Sequence, residues 1–107
     1  MPERISGGGG RRGQSLLRVA RHYTISGEVQ GVGFRFFAQR IAARHQVVGY
    51  VRNLPDGRVE VHAEGTPEGV EGFKHDLAAG PQHARVEQVE ELSLDPNGTY
   101  KSFRIER

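Results

Sequence analysis

Gln30-Gly31-Val32-Gly33-Phe34-Arg35 marks the point where the residue pattern of this chain changes period. Before it, residues 22–29 alternate. Tyr23, Ile25 and Val29 share one face, and His22, Thr24, Ser26 and Glu28 share the other, which predicts a half-buried strand. Gly27 falls on the apolar face and predicts a bulge or a close backbone approach. After the stretch, Phe34, Phe37, Ala38 and Ile41 fall at i, i+3, i+4 and i+7, the apolar stripe of a helix over residues 34–46. Two glycines between strand and helix free the backbone to turn successive amides toward one point. The N–H groups of a helix start add positive potential there. Arg35 stands on the first helical turn, about 100° around from Phe34, and adds a planar, permanently charged fork. These are the parts of an anion cradle. Most glycine-rich strand-to-helix turns bind nothing, and two better-known loops do not fit. A Walker loop needs Gly-Lys-Ser/Thr, and a dinucleotide fingerprint needs a third glycine where Phe34-Arg35-Phe36 follow.

Beyond the first helix, residues 47–53 and 58–64 bracket Leu54-Pro55-Asp56-Gly57. Pro presets φ and Gly takes a positive one, so the two runs read as a hairpin. Val59, Val61 and Ala63 alternate with Arg58, Glu60, His62 and Glu64, so the second run should carry one wet face. Val51 and Asn53 share parity, with Asn53 where the strand meets the turn. Thr66-Pro67-Glu68 reads as a helix start: an N-cap, a proline at the first position and an acid in the first turn. Val70, Phe73 and Leu77 give the stripe, and Gly80-Pro81 the stop. Gly69 and Gly72 lie inside this helix at about 1 kcal/mol each relative to alanine, so it should be the weaker of the two. Val86 to Leu94 reads as a strand with its alternation disturbed near Val89. Asp95-Pro96-Asn97-Gly98 reads as a turn, and Phe103 and Ile105 mark a short last strand. The order β-α-β-β-α-β plus a short strand predicts an α+β fold. Two split βαβ units place two helices on one face of an antiparallel sheet, the ferredoxin-like sandwich.

The chain has 107 residues, one domain at most. There is no cysteine, which excludes disulfides and thiolate metal sites. No apolar run approaches the roughly 20 residues of a membrane span, and the N-terminus lacks the apolar middle of a signal peptide, so a cytoplasmic location is expected. Arg4, Arg11, Arg12, Arg18 and Arg21 against Glu3 give residues 1–21 a charge of +4. The remaining 10 basic and 12 acidic residues give residues 22–107 a charge of −2. The high pI therefore belongs to the tail, and the nearly neutral domain argues against a broad nucleic-acid surface. Residues 1–20, with Gly7-Gly8-Gly9-Gly10 and few large apolar side chains, read as a disordered tail, and residues 21–107 as the domain. His22, His45, His62, His75 and His83 are scattered over wet faces and loops without ligand spacing, so no metal site is expected.

Two stretches of this sequence resemble the acylphosphatase family. The first is Ile25-Ser26-Gly27-Glu28-Val29-Gln30-Gly31-Val32-Gly33-Phe34-Arg35, which matches that family's phosphate-loop signature throughout. The second is Gly49-Tyr50-Val51-Arg52-Asn53, continuing through Gly57-Arg58-Val59 to Gly65 with the family's glycine spacing. The resemblance covers residues 22–107. It implies hydrolysis of a carboxylic-phosphoric anhydride to carboxylate and inorganic phosphate, without cofactor or metal. It places the phosphate-binding loop on Gln30, Gly31, Val32, Gly33, Phe34 and Arg35, the catalytic arginine on Arg35 and the catalytic asparagine on Asn53. It also implies a proton passed to the substrate's own phosphoryl oxygen, because an amide is no base at neutral pH. The partner is then a small acyl phosphate, with inorganic phosphate or sulfate as inhibitor and the chain a monomer. The runner-up is an acylphosphatase-like binding module of carbamoyl-phosphate-handling machinery, which the free-standing length of the chain disfavours. A third class, the RNA-binding ferredoxin-like domain, needs exposed aromatics on its middle strands. Here those faces carry His22, Thr24, Ser26, Glu60 and His62.

Overall fold

In the computed structural model, which describes residues 17–107, the strand leading into the glycine turn is β1, Val19–Glu28. It is followed by α1 (Phe34–His45), β2 (Val48–Asn53), β3 (Val59–Gly65), α2 (Pro67–Ala79), β4 (Arg85–Leu94) and β5 (Phe103–Glu106). The strands form one sheet in the order β4-β1-β3-β2-β5. β1 runs antiparallel to both β3 and β4, and β2 antiparallel to β3. β1 and β2 therefore point the same way with β3 between them, the split βαβ pairing that the element order predicts. Phe34, Ala38 and Ile41 of α1 and Val70, Phe73 and Leu77 of α2 are buried in one core with Tyr23, Ile25, Val51, Val59, Val61 and Ala63 of the sheet. The ferredoxin-like α+β fold is the fold of this chain.

The structure alters several local expectations. The tail read as residues 1–20 loses its last two residues to the sheet: Val19 pairs with Gly65, and Ala20 is fully buried between Glu64 and Leu94. Residues 1–16 lie outside the described residues. The disturbed alternation in β4 has its cause in β1. Ser26 opposes Gln88 and Gly27 opposes Val86, so Glu87 is left over as a bulge. One extra residue brings Val86 and Val89, three apart in sequence, onto the same core-facing side. Gly27 has φ +127°, and a Cβ there would stand 2.1 Å from the Arg85 carbonyl oxygen, so the bulge admits only glycine. The glycines within α2 also mark a close approach, because a Cβ at Gly72 would meet the His45 ring at 2.7 Å.

Residues 95–98 are not a tight turn between neighbouring strands. β4 and β5 lie at opposite edges, so residues 95–102 cross the end of the sheet. A chain returning from β4 runs opposite to it, and therefore parallel to β2, which is how β5 pairs. The helix-free face beneath this crossing is not wet along its whole length, as the alternation of β3 suggested. Glu64 is fully buried there, accepting from His62 Nε2 at 2.8 Å and from the backbone N–H groups of Asn97 and Gly98 at 3.4 and 3.3 Å. Burial pushes the Glu64 carboxyl up, but these bonds and the His62 charge outweigh it and hold the group below the usual carboxylate range. His62 is buried too, stacked against Tyr50 at 5.8 Å and tilted against Tyr100 at 5.1 Å. The face thus carries aromatics that the strand pattern did not show, and these rings pack on one another.

Candidate active site

The two helix starts differ in a way that bears on function. At α2, Thr66 caps the helix by accepting from Gly69 N–H at 3.0 Å, and Glu68 supplies a negative charge in the first turn. At α1 the N-cap is Gly33, in the left-handed region at φ 77° and ψ 19°. No side chain caps it, and no acid stands in the first turn. Among the described residues the α1 N-terminus thus has no capping side chain and no first-turn acid, where α2 supplies both. Gly31 has the same left-handed φ of 77°, and a Cβ built at either glycine would meet no atom of the described residues within 4 Å. Their requirement is conformational rather than steric, and the space beside the turned backbone is open to a ligand.

Sheet topology brings a second group to this place. In register, Ile25 of β1 faces Val59 of β3, and Val59 faces Asn53 of β2. The last residue of β2 therefore stands two strands away from the segment of β1 that runs into the glycine turn. Asn53 shares parity with Val51, which is fully buried in the core, so it belongs to the helix-bearing face, below the start of α1. A cleft of about 110 Å³ opens there, lined by Val29, Gly31, Gly33, Phe34, Arg35, Phe36 and Asn53. Arg35 and Asn53, 18 positions apart in the chain, thus line one small cleft with both glycines. The Asn53 Oδ1 atom is buried and has no hydrogen-bond partner among the described residues. A buried acceptor without a partner costs about 1–3 kcal/mol, so its placement asks for a reason.

Several arginines elsewhere in the fold have carboxylate partners. Arg21 pairs with Glu91, Arg44 with Asp76, Arg52 with Glu60, and Arg58 with Asp56. Arg35 belongs to none of these ion pairs among the described residues, and it faces the cleft. The other residues of the expected loop divide by role. Phe34 is buried and anchors the helix, and Val32 packs against the core from its edge. Gln30 turns its side chain to the β2–β3 connection, where Nε2 donates to the carbonyl oxygens of Leu54 and Arg58, both at 2.8 Å. Sequence reasoning passed over Phe36. It is 64% exposed at the cleft, and its signal was an aromatic residue off the apolar stripe of α1. Three histidines have carboxylate partners: His22 with Glu60, His45 with Asp76 and His62 with Glu64, each at 2.8 Å. Among the described residues no group of three or more His, Asp or Glu side chains is placed to hold a metal ion, and no helix is long and apolar enough to cross a membrane.

The acylphosphatase family model matches residues 21–105. An acylphosphatase of Caldanaerobacter subterraneus is 45% identical over 89 residues, which cover 83% of this chain and 99% of that protein. Among solved structures, an acylphosphatase from Bacillus subtilis superposes with a TM-score of 0.81 at 30% identity, covering 83% of this chain and 99% of its own. HypF of T. kodakarensis is also similar, with a TM-score of 0.74 and 39% identity, but only 12% of its length is covered.

Proposed function

This chain belongs to the acylphosphatase family, and from that membership we propose that it hydrolyses acyl phosphates in the cleft between the 30–35 loop and Asn53. The phosphoryl group sits against the open start of α1. There the backbone N–H groups of residues 31–35 and the Arg35 guanidinium hold its nonbridging oxygens. Phosphoryl transfer asks the protein mainly for positioning and charge neutralisation, and an arginine fork with helix-terminal amides supplies both. The Asn53 amide can accept from and donate to a water, and so holds it for in-line attack on phosphorus. The P–O bond of the anhydride breaks, the carboxylate leaves with the electron pair, and one proton of the attacking water passes to a phosphoryl oxygen. The leaving group is a weak base, so no strong acid is required.

The observation that carries this reading is the Asn53 Oδ1 atom, buried without a partner among the described residues, in the same cleft as Arg35 and the two left-handed glycines. The test is turnover of acetyl phosphate by the purified chain with chelator present and inorganic phosphate as inhibitor. The expected result is metal-independent hydrolysis with competitive inhibition by phosphate. Purely noncompetitive inhibition, or activity abolished by EDTA and restored by a divalent ion, would overturn it.

A further inference from the structure

Gln30 stands in the anion loop, but its side chain serves the opposite strand. Its Nε2 donates to Leu54 O and Arg58 O, each at 2.8 Å. Both neighbours are carbonyl oxygens, so the donor end of the amide must face them and both of its N–H groups are used. Those two carbonyls sit at the neck of the β2–β3 turn. Leu54 N–H bonds to Arg58 O at 2.8 Å, and Gly57 N–H bonds to Leu54 O at 3.1 Å. Leu54 is the residue after Asn53.

The sheet itself makes no such tie. β1 pairs with β3 and β4, and β2 with β3 and β5, so no ladder hydrogen bond joins β1 to β2. The glycine turn follows β1, Asn53 ends β2, and β3 intervenes. Any shear of β1 or β2 against β3 would change the distance between cradle and amide. We infer that Gln30 is a positioning residue for hydrolysis, bracing the anion loop against the neck of the β2–β3 turn and so fixing where Asn53 stands relative to the bound phosphoryl group. The inference rests on the role proposed for Asn53. Its consequence is specific: Gln30 acts through Asn53, on attack by water, and not on the grip of the phosphate.

The test is a double-mutant cycle. Gln30→Met keeps the volume and removes both N–H donors, and Asn53→Ala removes the group being positioned. Acetyl phosphate kinetics and inorganic phosphate binding are measured for wild type, both single variants and the double variant, after thermal melts show which are folded. Gln30→Met should lower kcat about ten- to a hundredfold, as small misplacements of reacting groups do, while the phosphate Ki stays within about twofold. In the Asn53→Ala background the same substitution should lower kcat by less than about twofold, because interacting residues are non-additive. An equal loss in both backgrounds would show a general structural effect and overturn the inference. So would a loss confined to phosphate affinity, or wild-type kcat in Gln30→Met. If Asn53→Ala itself keeps wild-type kcat, the proposed role of Asn53 fails first, and the two failures are told apart by that single variant. Should Gln30→Met not fold, Gln30→Asn carries the same comparison, since it keeps an amide donor one methylene too short.

Discussion

Replacing Asn53 with alanine should move activity and stability in opposite directions. Its Oδ1 atom is buried without a partner among the described residues. Removing an unsatisfied buried acceptor relieves about 1 kcal/mol, the low end of the desolvation cost of such a group. For a domain of this size that corresponds to a Tm raised by about 4–8 °C at most, less whatever packing the side chain supplies. A residue that served only to shape the β2–β3 turn would do the reverse, and its loss would lower Tm. Kinetically, an amide that orients the attacking water contributes about 3 kcal/mol at the transition state, so kcat should fall by two orders of magnitude or more. Phosphate or sulfate binding should stay within about threefold, because the role proposed for Asn53 is to hold the water and not the phosphoryl oxygens. The assays are a thermal melt, acetyl phosphate turnover and a phosphate titration on the same preparation. A Tm lowered by more than about 5 °C would make Asn53 structural. A near-wild-type kcat in the folded variant would remove it from the chemistry. Phosphate affinity lost as badly as in an Arg35 variant would place it in the cradle.

Arg35→Lys keeps the charge but not the planar fork, so both phosphate affinity and turnover should suffer. Loss of one preorganised donor costs about a hundredfold or more in kcat, and a variant with phosphate Ki unchanged would refute the bidentate grip. Glu64 should carry part of the acid sensitivity of the fold. Its folded pKa lies below the ordinary value, so its contribution is complete above the unfolded pKa of about 4.3 and is lost as pH falls through the lower folded value. Glu64→Gln should cost about 2 kcal/mol at neutral pH through weakened bonds to His62, Asn97 and Gly98, and should flatten the fall in stability below about pH 4.3. Urea melts from neutral to acid pH check this, and an acid slope equal to wild type would rule it out.

Local pattern made much of the fold legible. The change of period at Gln30–Arg35 gave a strand, a turn and a helix. Thr66-Pro67-Glu68 and Gly80-Pro81 bounded α2 as the structure has it, from Pro67 to Ala79. These signals are short-range: side-chain spacing, backbone restriction and capping act within a few residues. The parity of Val51 and Asn53 likewise fixed which face of the sheet Asn53 would share. What the local pattern could not supply was anything that depends on which strands become neighbours. The bulge at Glu87 is possible because Gly27, in another strand, has no Cβ to keep the Arg85 carbonyl away. Glu64 and His62 alternate like exposed residues, and they are buried because residues 95–102 must cross to the far edge of the sheet. Gln30 reads as one more residue of an anion loop until the fold sets the Leu54 and Arg58 carbonyls beside it. Short-range pattern thus set the elements and the helix start with its arginine, and family resemblance added the pairing of Arg35 with Asn53. That β3 lies between β1 and β2 follows only from long-range pairing, which brings the ends of two strands that do not pair with each other to one cleft and sets the Gln30 amide between them.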